Sequence, residues 1–321
     1  MGGNLFKEAK RVSKEKYFSL VSELDSILYP LTRHVVKAYK DKMDFGDIDI
    51  VLLKKDYDDV FERFKDYPME KTEGFSILYK ETQVDFIFIN EKVFDFACKY
   101  FNYNDLGNLI GRVSHKLGLK FGFNGLFLIV RDGNSYLGDI VVSSDFEESL
   151  SFLGYDAERY SQGFNTLEEI FEYVATSPYF NKSIYLFHNR NHTSTVRDKK
   201  RPTYNKFLEW CKNREGLTEY PHESFEEKGG YNVKDKFLPM IYERFPHVKA
   251  MYDALLEKHQ KNLLYKSYIN GEVFMEITGL SGKELGKLMG KVKDETILMN
   301  EQELAQYVLD FRKHYENANG R

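Results

Sequence analysis

Three aspartates carry the clearest chemistry in this chain. Gly46-Asp47-Ile48-Asp49 opens an apolar run that continues through Ile50-Val51-Leu52-Leu53, and Gln83-Val84-Asp85 opens a second one, Phe86-Ile87-Phe88-Ile89. In an extended strand, residues two apart leave the same face, so Asp47 and Asp49 stand side by side while Ile48 turns to a core. If the strand bearing Asp85 pairs beside them, three carboxylates converge. Such a group repels itself unless a cation sits among it. Mg²⁺ suits the position, with Mn²⁺ as a substitute, because hard cations take oxygen ligands and share carboxylates with substrate phosphates. Two ions held this way activate an attacking hydroxyl and stabilise a leaving pyrophosphate in an in-line displacement. The plain alternative is a solvated polar edge on an amphipathic strand. Against it, the apolar run after Asp49 is unbroken, which fits a strand buried on both faces.

The elements that must position these residues are legible in outline. Residues 5–29 read as one amphipathic helix, with Leu5, Val12, Tyr17, Leu20, Val21, Leu24 and Leu28 near helical spacing and Pro30 as its stop. A β-like segment from His34 to Tyr39 and a turn at Lys42 to Gly46 lead into the strand Asp47 to Leu53. Asp56 to Tyr67 is a short charged helix. Phe75 to Lys80 and Gln83 to Asn90 form a hairpin around Glu81-Thr82. Helical pattern resumes from Asn90 through Cys98, and glycines punctuate a mixed region up to Gly154. Residues 164–215 read as helical and polar, Gly229-Gly230 as a linker, and the remainder as helices broken at Pro246, Gly271 and Gly279. The fold class is therefore α+β. The expected division is an N-terminal helix (1–30), a catalytic sheet domain (31–95), a small mixed region (96–156), a basic helical region (157–228) and a helical C-terminal domain (229–321).

A chain of 321 residues has room for two or three cores, and 42% hydrophobic with 30% charged residues is ordinary for a globular protein. The net charge of −4 gives no global case for nucleic-acid binding, so any such case rests on local clusters. Cys98 and Cys211 are too few and too distant for a disulfide framework or a zinc site, which suggests a reducing compartment. The start of the chain lacks an apolar signal core, and no run reaches the roughly 18 apolar residues of a membrane span. The expectation is a soluble, intracellular, cytoplasmic protein with no membrane partner.

With these residues in view, the sequence resembles the DNA polymerase beta-like nucleotidyltransferase superfamily, closest to the palm and thumb of family X DNA polymerases. There, a GDxD strand supplies two metal ligands and a later strand the third, as Gly46 to Asp49 and Val84-Asp85-Phe86 do here. Tyr100-Phe101 sits where that family carries its steric gate against the incoming sugar. Asn108 to Leu119 resembles its first thumb helix, which implies that Asn108 meets the incoming base and Arg112 the template side. Gly125-Leu126-Phe127 and the stretch from Asp145 to Tyr155 resemble the closing thumb strand and helix. The likeness spans roughly residues 34–156. It implies a palm of mixed sheet with flanking helices, a small α/β thumb-like region and a mostly helical C-terminal domain.

This chain also departs from the family. The Gly-Ser that normally precedes the paired aspartates is missing. Lys37, Tyr39, Lys40 and Lys42, with Gly46, stand in its place as nucleotide-binding candidates. The family's basic residue two before the third aspartate is Gln83, and the glycine two after Tyr-Phe is Tyr103. No lyase domain or helix-hairpin-helix pair is visible upstream.

The activity implied is Mg²⁺-dependent transfer of a nucleoside monophosphate from an NTP or dNTP to a nucleic-acid 3′ hydroxyl, DNA or RNA, with pyrophosphate leaving. Asp47 and Asp49 would bind both metals; Asp85 would bind the catalytic one and help deprotonate the hydroxyl. An RNA or tRNA 3′ end, a protein or small-molecule acceptor, and a non-catalytic nucleic-acid-binding module remain as alternatives.

Two basic stretches bear on the acceptor. In residues 277–293, Lys283, Lys287 and Lys291 line one helical face and Gly282, Gly286 and Gly290 an adjacent one, with Ser281 as a cap. This segment resembles part of the tail of CCA-adding enzymes and bacterial poly(A) polymerases; a glycine packing face with solvated lysines is the alternative. Arg197, Lys199, Lys200 and Arg201, followed by Tyr204 and Trp210, could track phosphates with stacking platforms, or simply be solvated surface. His188 and His192 have the spacing of a zinc pair, yet no third ligand is evident, so surface or capping roles are expected.

Overall fold

Alternation of apolar residues sets a strand's two faces, and here both faces of the central strands are covered. The computed structural model describes residues 5–218 and 231–318, which excludes the expected linker at Gly229-Gly230. The chain divides into two compact units, residues 1–129 with 139–248 and residues 130–138 with 249–321. The second unit takes the chain from Lys249 onward together with residues 130–138.

The first unit opens with β1 (Val12–Ser13), α1 (Lys14–Leu28), β2 (Arg33–Val35), β3 (Asp44–Phe45), β4 (Asp47–Leu53), α2 (Tyr57–Phe64), β5 (Met69–Lys71), β6 (Phe75–Tyr79) and β7 (Thr82–Ile89). The helix expected from residue 5 starts only at Lys14. Val12 and Ser13 pair with Phe45 and Asp44, and the Ser13 side chain caps the helix by accepting the Lys16 N–H. A five-stranded sheet runs in the order β2-β4-β7-β6-β5; β4 and β7 are parallel and the other neighbours antiparallel. Ile48, Ile50, Leu52, Val84 and Phe86 turn to one face, packed with Leu20, Leu24 and Leu28 of α1 and Val60 and Phe64 of α2. Val51 and Ile89 turn to the other, beneath Ala97 and Cys98 of α3 (Phe94–Phe101). The β6–β7 hairpin turns on Lys80 and Glu81 at φ of 48° and 63°. A two-residue turn requires that conformation, and a side chain there costs about 1–2 kcal/mol per residue.

Past α3 come α4 (Leu106–Lys116), the three-stranded sheet β8 (Leu119–Gly122), β9 (Gly125–Asp132) and β10 (Ser135–Ser143) in the order β10-β9-β8, then α5 (Phe146–Phe152), α6 (Ala157–Ser161) and α7 (Leu167–Ala175). The helices α8 (His192–Lys199), α9 (Pro202–Asn213) and α10 (Tyr231–Arg244) follow. Much of the aromatic excess is spent here: Tyr103, Tyr160, Phe164 and Tyr173 meet edge-on or tilted, as do Phe171 and Tyr185 against Phe207, while Phe207 and Trp210 stack.

The second unit takes most of α11 (Pro246–Tyr268), then α12 (Gly271–Thr278), α13 (Gly282–Thr296) and α14 (Glu301–Ala318) around Ile269, Phe274, Val292 and Leu304. The whole is α+β with a mixed sheet. Among the described residues, no helix is long and apolar enough to cross a membrane.

Candidate metal centre

The parallel pairing of β4 and β7 sets Asp49 directly opposite Asp85 and Asp47 opposite Gln83. Partners in a parallel ladder project to the same side, so the three carboxylates meet at the N-terminal mouth of β4, on the face that α3 covers farther along. Their oxygens lie within 4.8 Å of one another and all three side chains are half-buried. Among the described residues this is the one grouping of three acidic, histidine or cysteine side chains close enough to share a cation. The donors are all hard carboxylate oxygens, the set that divalent oxygen-seeking cations prefer.

Electrostatics agrees with the geometry. Burial, then the charges of Asp47 and Asp85, pushes the Asp49 carboxyl up to about 7. A carboxylate trio this close therefore holds its charge at a cost that a bound cation would remove. The Gln83 side-chain amide donates to both oxygens of Asp85, at 2.9 and 3.0 Å, and its own carbonyl accepts the Leu5 N–H at 2.9 Å. Asp85 is thereby fixed in orientation.

Of the basic residues expected to bind a nucleotide, Lys42 is the one that feels the carboxylates. Burial pushes its ammonium down while Asp47 and Asp49 pull it back, and it lies 4.6 Å over the Phe45 ring. Gly46 is the buried bend between β3 and β4. Lys37, Tyr39 and Lys40 instead border an adjoining cavity of about 480 Å³, which reaches Lys14 and Phe164 but none of the three aspartates. This cavity and the carboxylate trio are thus separate features of the first unit.

Tyr100 packs on Phe121 and Phe101 stacks on Phe123. Gly107 lets α4 reach them: a Cβ there would stand 2.7 Å from the Tyr100 carbonyl. Asn102 ties this corner to β2 and the loop after it by bonding His34 Nε2 at 2.9 Å and accepting from the Lys37 N–H at 2.8 Å. Arg112 is not open to solvent. It is buried, and its Nη2 donates to the Ile184 carbonyl at 3.1 Å. Asn108 accepts from Arg197 at 3.1 Å.

The basic tract divides. Arg197 and Arg201 pair with Asp198 and Asp105, Arg197 staying exposed as it does so, whereas Lys199 and Lys200 are exposed without a carboxylate partner among the described residues. In the second unit Lys283, Lys287 and Lys291 are exposed along α13. A Cβ on Gly286 or Gly290 would meet nothing within 4 Å, so the glycine face carries no packing among the described residues. Ser281 stands at the N-cap position without a side-chain bond. His188 lies in a 3₁₀ turn and His192 opens α8, so the two do not share one helix face.

Sequence reasoning did not find Tyr17 or Arg11. The Tyr17 phenol is held well above its ordinary value by burial and then by Asp49 and Asp47; Arg11 pairs with Asp44 and senses Asp47. Neither residue carries a local signal, because both reach the site from outside its strands. No protein-family model matches the chain, and no curated protein matches it.

Proposed function

We propose that this chain is a metal-dependent nucleotidyltransferase that moves a nucleoside monophosphate from an NTP or dNTP onto a hydroxyl, with a nucleic-acid 3′ end as the acceptor. The observation that carries this reading is the β4–β7 register, which puts Asp49 opposite Asp85 and beside Asp47. Asp47, Asp49 and Asp85 would hold a pair of Mg²⁺ ions, which when bound supply Lewis-acid activation of the hydroxyl and neutralise the leaving pyrophosphate. Asp85, oriented by Gln83, accepts the proton of the attacking hydroxyl. Lys42 faces the carboxylates and offers its charge to the polyphosphate, as Lys37 and Lys40 do from the rim of the adjoining cavity.

A polymerase beta-like palm is the architecture we infer for the five-stranded sheet and its helices. Tyr103 supports that reading from an unexpected side. It occupies the position where the family X pattern has glycine, and its φ is 63°, a left-handed conformation that glycine adopts freely. The Tyr103 ring is packed against Tyr160 and Phe164. All three carboxylates are present and converge, which favours an active enzyme over a module that only binds.

The test is to incubate the protein with Mg²⁺, each labelled nucleoside triphosphate, and primers of single-stranded DNA, primed duplex DNA, single-stranded RNA and tRNA, beside Asp47→Asn. Extension lost in the variant supports the proposal, and the preferred primer names the acceptor. Label appearing on protein or a small molecule keeps the transfer chemistry and replaces the acceptor. Silence in every lane overturns the reading.

A further inference from the structure

Away from the aspartates, a second charged cluster lies between α4 and the chain from 190 to 201. The Arg190 side chain is 1% exposed and the Asp198 side chain 0%, and the two form an ion pair. Arg197 Nε reaches the same carboxylate at 2.9 Å and Arg201 Nε approaches it at 3.4 Å, while Arg201 also pairs with Asp105. Burial alone would raise the Asp198 carboxyl; hydrogen bonds from Arg197 and Arg190 hold it below its usual value. Arg112, on the next turn of α4 from Asn108, completes the group, and burial followed by the charge of Arg190 pushes its guanidinium down. Four guanidiniums thus face two carboxylates, leaving two positive charges in a largely buried place.

The hydrogen bonding is incomplete in a way that points to a ligand. Among the described residues, Arg190 Nε and Nη1, Arg112 Nε and Asn108 Nδ2 are buried donors with no hydrogen-bond partner, and Arg201 Nε has only its 3.4 Å approach to Asp198; the Arg190 guanidinium lies 4.8 Å over the Tyr204 ring. Buried polar groups are normally satisfied, and a buried unpaired cation is more costly still. Asn108 already accepts from Arg197 through its oxygen, so its remaining capacity is as a donor. Every unfilled position is an N–H, and the surplus charge is positive. The side chains of Arg197 and Arg201 are 54% and 30% exposed, so the cluster that holds the buried Arg190 reaches solvent through them.

We propose that Arg112, Arg190, Arg201 and Asn108 form a phosphate-binding site, for the phosphate of a nucleotide or of a polynucleotide strand. A phosphate brings two or three acceptor oxygens and negative charge, and guanidinium forks match it bidentately. The site needs no metal and does not rest on the aspartate chemistry.

The experiment is titration of the whole protein with inorganic phosphate at constant ionic strength, with a chelator present, followed by calorimetry and thermal melting. The wild type binds saturably and melts higher with phosphate. Arg112→Met and Asn108→Ala each weaken binding, Arg112→Met by about tenfold or more, the value of one charge-assisted hydrogen bond. Neither variant removes an Asp198 partner, and circular dichroism checks that both are folded. Competition by a nucleoside triphosphate or by an oligonucleotide without terminal phosphate tells free nucleotide from strand backbone, and either result supports the site. Absence of saturable phosphate binding at millimolar concentrations overturns the proposal, as does equal affinity in the wild type and both folded variants.

Discussion

Gln83 donates its side-chain amide to both carboxylate oxygens of Asp85 while its carbonyl holds the Leu5 N–H. One neutral side chain therefore aims the third carboxylate and anchors the segment before β1. An amide serves here as a donor to Asp85 without adding charge to the group.

Gln83→Leu should leave the sheet intact and lower nucleotidyl transfer by about 10- to 100-fold, because a positioned proton acceptor contributes on the order of 10²-fold. The effect should fall on kcat more than on KM. Gln83→Glu should be worse, since it adds a fourth acid to the group. Steady-state kinetics of the two variants checks this, and unchanged kcat in Gln83→Leu would mean that Asp85 needs no orienting partner.

Asp49→Asn keeps the shape of the side chain and removes the most crowded charge. The metal-free variant should melt higher than the wild type, by on the order of 2 kcal/mol once solvent at a half-buried site is allowed for. Mg²⁺ should stabilise the wild type and leave the variant unmoved, and transfer should be lost. Thermal melting with chelator and with Mg²⁺ reads both effects; equal Mg²⁺ stabilisation of the two proteins would remove Asp49 from the ligand set.

The pH dependence follows from the same group. The Asp49 pKa is raised to about 7 in the folded, metal-free chain, against an unfolded value of about 3.9. Between those values the folded state binds more protons, so the contribution of Asp49 to stability is fully present below about pH 4 and is lost as pH rises towards 7. Mg²⁺ needs the deprotonated form. Its stabilising effect should therefore be larger at pH 8 than at pH 6, with proton release on binding at the lower pH. Calorimetry in buffers of different ionisation enthalpy measures that release directly.

Gly107→Ala should displace Tyr100, because the added Cβ meets the Tyr100 carbonyl at 2.7 Å and its ring at 2.9 Å. Overpacking of this kind costs about 1–3 kcal/mol. Denaturant unfolding gives the stability change. If Tyr100 borders the sugar of the incoming nucleotide, the variant should also alter the ratio of rates with ribo- and deoxyribonucleotides.

The aspartates and their strands were open to inspection in the sequence. Period-two patterning in Asp47 to Leu53 and Gln83 to Ile89 follows from local backbone geometry, and it fixes which side chains share a face wherever those strands lie. The same logic placed the hairpin that leads into the second of these strands, around Glu81-Thr82, and the structure sets its turn one residue earlier, at Lys80-Glu81. What the pattern could not supply was partnership. The parallel register of Asp49 with Asp85 depends on a crossover through α2, β5 and β6, and the start of α1 depends on Val12 finding Phe45 on another strand. Arg112 reads as an exposed contact on a helix, yet it is buried beneath the 182–185 turn, and Arg197 and Arg201 read as a surface tract until Asp198 and Asp105 claim them. Periodicity is written in neighbouring residues. Register, burial and ion pairing are decided by residues far apart in the chain, and only the folded arrangement brings those together.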